Sequence, residues 1–293
     1  MNRTRCVLPL IAAVAVGTNL PTLAADPWAD QIVSYSPGSN PPIGFSNSSA
    51  ALGEPTHFSI AFGGFPTSPF SGAADGTELV SLGEGGVLIV GFDEPVTDDP
   101  ANPFGIDLLV FGNSFFHLNS FNNDQFDTAT GDIASEGGIV SVSADGMDYL
   151  VVSGVEADGR FPTLGFRDIS IPFPSTGVVS TDFTRPVNPN LDVTGLNTAA
   201  VAASYDGSGG GAGIDLATVG LSEIRFVKIT NPTGSGVTPE IDGFSDVRGI
   251  PEPTTLVLAS LILVAAWLRN HRTRTHHRSR RPADIRPAAW FNG

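Results

Sequence analysis

The apolar runs between Gln31 and Val247 are short, and Gly, Pro, Asn or Asp closes nearly every one. That punctuation leaves little room for long helices and selects many short strands joined by turns. With 34 Gly and 23 Pro in 293 residues, the whole chain shares this character. Gln31–Tyr35, His57–Phe62, Glu78–Leu82, Val87–Phe92 and Ile106–Phe111 read as strands. Ile139–Ser143 alternates apolar and polar residues with period two, and Asp148–Ser153 follows after Asp145-Gly146. Two such runs joined through Asp-Gly predict a hairpin, because both residues tolerate positive φ. Ile224–Thr230 and Glu240–Val247 supply the last strands. Val87–Val90 and Leu108–Phe111 are continuously apolar, the pattern of strands buried on both faces. No helix of 12 or more residues is predicted, and Asn197–Ser204 is the best candidate for a short helical turn. Eight or nine strands without a halfway linker predict an all-β fold, a single β-sandwich of jelly-roll type over residues 26–250.

The two ends have a different composition. In residues 1–25, Arg3 and Arg5 precede an apolar run from Cys6 to Val16, and Ala24 and Ala25 offer a small-residue cleavage site. This order reads as a secretory signal peptide; the run is too short for a membrane span, which needs about 20 residues. Cys6, the only cysteine, falls inside it without a lipoprotein lead-in. A processed chain would hold no disulfide, thiol nucleophile or cysteine metal site.

At the other end, Pro251-Glu252-Pro253 precedes the apolar run Leu256–Leu268 and then Arg269, Arg272, Arg274, Arg278, Arg280 and Arg281. An apolar segment with a basic flank reads as a single membrane helix, about residues 254–268, with the body outside the cytoplasm. Residues 251–281 closely resemble the PEP-CTERM sorting signal of Gram-negative bacteria. The resemblance implies transient anchoring in the inner membrane, recognition of Pro251, Glu252 and Pro253 by an exosortase-like enzyme, a basic stop at Arg269 and Arg272, and release to the cell surface or extracellular matrix. Residues 282–293 are read as a disordered continuation of the basic tail, running past the point where that family usually stops.

Residues 26–250 carry 28 Asp and Glu against six Lys and Arg. So strong a negative balance repels nucleic acid and anionic lipid, and suits a soluble exported protein or one that takes up a cation.

The order of segments within the body carries a second resemblance. Trp28-Ala29-Asp30 with Val33–Gly38, Ala51–Pro55, Val80–Gly86, Gly91-Phe92-Asp93, Asp107–Asn113, Glu136–Gly146, Gly210–Gly220 and Ile241–Phe244 are similar to blocks of a secreted bacterial surface-protein family that often bears PEP-CTERM tails. The resemblance implies a β-sandwich related to galactose-binding and discoidin-like modules. Gly112-Asn113 stands where that family often has Glu-Asn.

Catalytic residues are sparse. His57 and His117 are the only histidines in the body, and no Gly-x-Ser-x-Gly elbow is present. No His-x-x-x-His or cysteine pair points to zinc. Gly207–Ala212 fits a dinucleotide fingerprint formally but lacks the strand–turn–helix setting. The carboxylate pairs Asp93/Glu94, Asp98/Asp99, Asp124/Asp127 and Asp132/Glu136 would serve a glycosidase only if one pair faced across a cleft. The chain therefore reads as non-enzymatic, with no required cofactor.

Calcium is the stronger chemical expectation, because hard Ca²⁺ takes six to eight oxygens of the kind acidic, Gly- and Asn-rich loops supply. The candidate ligands for a structural Ca²⁺ are Asp75, Asp124, Asp127, Asp132, Asp215 and Asp242. The plainer alternative is that Asp75, Asp145 and Asp206 make Asp-Gly turns. Phe115, Phe116, Asn119, Phe121 and Asn123 alternate rings and amides, which suits stacking on an extracellular polysaccharide. Equally, the Phe side chains could fold under a long loop into a satellite core. The expected function is a secreted surface or matrix protein, with a Ca²⁺-dependent carbohydrate-binding module as the alternative and a glycoside-active enzyme third.

Overall fold

A computed structural model describes residues 26–119, 121–122, 125–126, 128–169 and 177–248, with the backbone alone for 121–122 and 125–126. The expected signal peptide (1–25), Pro251-Glu252-Pro253, the expected membrane segment 254–268, Arg269, Arg272 and residues 282–293 lie outside the described residues, as do Asn123, Asp124 and Asp127. No helix among the described residues is long and apolar enough to cross a membrane.

Among the described residues the fold is all-β with one short α-helix. Its nine principal strands are β1 (Gln31–Ser36), β2 (Val80–Ser81), β3 (Val87–Thr97), β4 (Leu108–Gly112), β5 (Gly137–Ser143), β6 (Leu150–Asp158), β7 (Ala212–Ile214), β8 (Glu223–Thr230) and β9 (Glu240–Asp246). One antiparallel sheet has the order β1-β3-β8-β5-β6 and the other β7-β4-β9-β2.

Alternation explains why the two sheets meet. Leu88 and Val90 of β3, Val140 and Val142 of β5, and Val227 and Ile229 of β8 join Leu108 and Val110 of β4 and Ile241 and Phe244 of β9 in one buried cluster. Leu109 and Phe111 point to the other side of β4, where Phe183, Ile106 and Val247 cover them. Leu108–Phe111 is thus buried on both faces, as its unbroken apolar run predicts. Val87–Val90 differs: Leu88 and Val90 are buried while Val87 and Ile89 are only half-covered, because one face of β3 lacks an overlying layer.

The predicted hairpin forms between β5 and β6, with Val142 opposite Leu150. Asp145 closes it. Its Oδ1 accepts from the amides of Met147 and Asp148 at 2.9 and 3.0 Å and from the Ser143 hydroxyl at 3.1 Å, and Gly146 takes φ +76°. The helical turn also forms, as Thr198–Ser204, with the Asn197 side chain accepting from the Ala200 amide at 2.9 Å.

His57–Phe62 does not make one continuous strand. Phe58–Ser59 pairs briefly with Phe65–Pro66, and the chain then turns at Ala61–Gly63. The cause is Glu78, whose carboxylate takes the Ile60 amide out of strand pairing and also accepts from the Ser59 hydroxyl, both at 2.6 Å. Glu78–Leu82 contributes only Val80–Ser81 as strand, paired with Ile241 and Glu240.

A second core lies beneath the long segments. Phe116, Phe161, Leu164, Val187, Val201 and Tyr205 pack together, and the buried Tyr205 hydroxyl donates to the Pro162 carbonyl at 3.0 Å.

Candidate metal centre

Three strand ends bring acids together. Asp98 follows β3, Asp107 precedes β4 and Asp215 follows β7. Each offers a carboxylate oxygen, and these oxygens lie within 4.8 Å of one another. Among the described residues no other set of three acidic, histidine or cysteine groups gathers so closely.

Asp107 is fully buried and anchors the group. Its Oδ1 accepts from the Asp99 amide at 3.1 Å and the Asn102 amide side chain at 3.0 Å; its Oδ2 accepts from the Leu216 amide at 3.0 Å. Its backbone bridges Ile214 and Val247 at 2.8 Å each, so its position is set from three stretches of chain, 99–102, 214–216 and 247. Asp215 is half-buried and caps the turn Leu216–Val219 by accepting from the Ala217 amide at 2.9 Å. Asp98 is exposed, its amide held by the Ser222 carbonyl at 2.9 Å.

Three carboxylates so close together repel, and a hard divalent cation is the natural partner for such a set. The oxygens are spaced suitably for an ion with 2.3–2.6 Å ligand distances, and loop carbonyls and water would complete its shell. The negative field extends to Asp246, whose carboxyl is pushed up to about 6, first by burial and then by Asp107, with Arg248 opposing.

Of the described acids expected from sequence to bind calcium (Asp75, Asp132, Asp215 and Asp242), only Asp215 joins this group. Asp75 instead accepts from the amide and hydroxyl of Thr77 at 2.9 and 2.7 Å, and those bonds hold its carboxyl below the usual range. It serves its own turn. Asp242 is buried with both oxygens on Thr56, and the acid whose charge reaches it is Glu78. Asp132 is exposed and joins no such group. Asp98 appeared in the sequence only as one of many carboxylate pairs, and Asp107 only within a strand motif; their shared signal is a position at a strand end.

The aromatic stretch divides. Phe116 is buried in the second core, whereas Phe115 is 40% exposed with its ring 5.7 Å from that of His117. Asn119 is committed to Thr128, donating to its carbonyl and hydroxyl at 3.1 and 2.8 Å. Phe121–Asn122 pairs with Gln125–Phe126 as a small hairpin. A different ring lies on the turn between Asp98 and Asp107: Phe104, 55% exposed at φ +62°, precedes Gly105, where a Cβ would come within 3.7 Å of Asp215 Oδ2.

His57 is held structurally. Nδ1 faces the Gly165 carbonyl at 2.7 Å, Nε2 faces Glu54 at 3.1 Å, and the ring lies 4.3 Å from that of Phe183. A groove of about 820 Å³ runs along β6 toward β7. Its walls are mainly aliphatic, including Ile139, Val151 and Val155, and the Arg160 guanidinium lies over its one ring, Phe161. That lining offers no open ring for stacking on a sugar.

No protein-family model matches this chain, and no curated protein matches its sequence.

Proposed function

We propose that this chain is an exported, non-enzymatic protein of the cell surface or extracellular matrix. Its body would be a jelly-roll-type β-sandwich stabilised by Ca²⁺ at Asp98, Asp107 and Asp215. The observation that carries the calcium reading is the convergence of these carboxylates within 4.8 Å, on a buried Asp107 fixed from three stretches of chain. The signal peptide and the PEP-CTERM-like segment at 251–281 support export and sorting by an exosortase-type system.

Two measurements test this. Mass spectrometry of the protein recovered from the cell surface would show loss of residues beyond the Pro251-Glu252-Pro253 region; an intact chain through Gly293 would exclude the sorting reading. Calorimetric titration with CaCl₂ would show binding that Asp98→Asn weakens; an unchanged isotherm would exclude the metal centre.

A second reading is a Ca²⁺-dependent carbohydrate-binding module, and Phe104 favours it. An exposed ring beside a cation site can stack on a sugar while the ion takes its hydroxyls. Native gels containing a polysaccharide panel, with Ca²⁺ or chelator, would test it. Retardation by one glycan, lost with chelator and in Phe104→Ala, is expected on this reading. Without it the structural matrix role stands alone.

A further inference from the structure

A second group of acids sits elsewhere in the sandwich, where the ends of β4 and β6 meet the start of β9. Asp158, the last residue of β6, is wholly buried. Its Oδ1 accepts from the Ser114 amide at 2.9 Å, while its Oδ2 has no hydrogen-bond partner. Such an orphan is costly, because a carboxylate oxygen stripped of water needs a donor or a cation in exchange.

The chain is built to admit this carboxylate. Gly112 lies against it, and a Cβ there would come within 2.4 Å of Oδ1 and 2.8 Å of the Glu240 carbonyl. Ser114 secures the same corner by donating its hydroxyl to the Gly159 carbonyl at 2.6 Å.

The neighbouring charges make the orphan harder to explain. Glu136, on the loop entering β5, and Glu240, at the start of β9, both act electrostatically on Asp158, and Glu240 acts on Glu136. Glu240 is oriented by the Ser81 hydroxyl at 2.9 Å and by the Asn113 side-chain amide. No positive side chain figures among the influences on any of the three. Burial raises all three carboxyls; Glu240 adds to the rise of Glu136, and both glutamates add to that of Asp158, which reaches about 7 against the opposing Ser114 and Glu136 amides.

We propose that Asp158, Glu136 and Glu240 form a second divalent-cation site, with the free Oδ2 of Asp158 as its innermost ligand. The class of ligand is a large, hard ion such as Ca²⁺. These oxygens are spread more widely than those of Asp98, Asp107 and Asp215, so a single small ion could not touch all three. An ion that tolerates six to eight ligands and takes some through water can bridge them, whereas Mg²⁺ demands a tight octahedron. The cation would tie the β6 end to both the β4 and β9 ends, neutralising a junction of three negative groups. This site shares no residue with the first, so either can fail without the other.

Calorimetric titration of the exported protein with CaCl₂, and separately with MgCl₂, at slightly alkaline pH would test it. The parent, Asp98→Asn, Asp158→Asn and Glu136→Gln would be compared, each checked for folding by circular dichroism. Glu136 is only half-buried, so its variant keeps the test open if Asp158→Asn does not fold. The expected result is a Ca²⁺ equivalent that survives Asp98→Asn, is lost in Asp158→Asn, and binds at least about tenfold more weakly in Glu136→Gln. Unchanged stoichiometry and affinity in folded Asp158→Asn and Glu136→Gln would overturn the site. So would an infrared carboxylic-acid band that disappears in Asp158→Asn yet persists in the parent at saturating Ca²⁺, since a proton would then be the partner of Oδ2.

Discussion

Thr56 closes on Asp242 with both its amide and its hydroxyl, at 2.9 and 2.7 Å, joining positions 186 residues apart. Asp242 lies in β9 and is 2% exposed, so these bonds replace the water its carboxylate gives up. They also fix the segment after Ala51 against the second sheet. Thr56→Val keeps the shape but removes the hydroxyl donor. It should cost about 1–3 kcal/mol in urea unfolding, because one oxygen of a buried acid is left short of a partner.

Buried carboxyls give this fold an acid-side stability. Asp158 and Asp242 are raised to about 7 and Asp246 to about 6, in each case chiefly by burial. Unfolded, they titrate near the ordinary carboxylate value of about 4. The folded state therefore holds protons that the unfolded state releases, and stability falls as pH rises from about 4 to about 7. Each fully buried group contributes on the order of 4 kcal/mol to that fall. Thermal midpoints in chelator should decline over this interval, and Asp242→Asn should flatten the decline. A midpoint that rises with pH there would contradict the assignment.

Calcium should reverse part of this loss. If Asp98, Asp107 and Asp215 hold an ion, Ca²⁺ at a hundredfold excess over its dissociation constant adds about 2.7 kcal/mol. Asp98 is exposed, so Asp98→Asn should leave the chelated midpoint unchanged and remove the calcium-dependent increment at this centre. Differential scanning calorimetry with and without chelator measures both.

Gly112→Ala should be among the most damaging single changes. The new Cβ would meet the buried Asp158 Oδ1 at 2.4 Å and the Glu240 carbonyl at 2.8 Å, and strand pairing holds the surrounding backbone. A loss of about 3 kcal/mol or more, the upper range of overpacking, is expected in denaturant titration.

Phe115 and Phe116 should separate cleanly despite being adjacent. Phe116→Ala empties part of the second core and should cost about 3–5 kcal/mol. Phe115→Ala removes an exposed ring and should stay within about 1 kcal/mol in urea unfolding. Equal losses would contradict the opposite facing of the two rings.

Much of the framework was legible in local pattern. The unbroken run Leu108–Phe111 announced a strand covered on both faces, and Asp145-Gly146 marked the β5–β6 hairpin. Asn197 marked the start of the helical turn. These features depend on residues within one or two turns of each other, so spacing alone carries them. His57–Phe62 misled because its competitor, Glu78, lies on a later segment and takes the Ile60 amide out of strand pairing.

The candidate site was less legible for the same reason. Asp215 could be singled out by its glycine-rich setting, but nothing local distinguishes Asp98 and Asp107 from the many other acids. Only the pairing of β4 with β7 and the connection out of β3 bring their oxygens within 4.8 Å of Asp215. Likewise Asp158 is buried where Gly112 and Ser114, distant in sequence, meet its Oδ1 and leave Oδ2 without a hydrogen bond. The all-β character, the turns and the acidic balance follow from residue type and short-range periodicity alone. Tertiary structure alone decided which carboxylates are gathered, buried and left short of a partner, because desolvation and charge proximity arise only when distant strands pack.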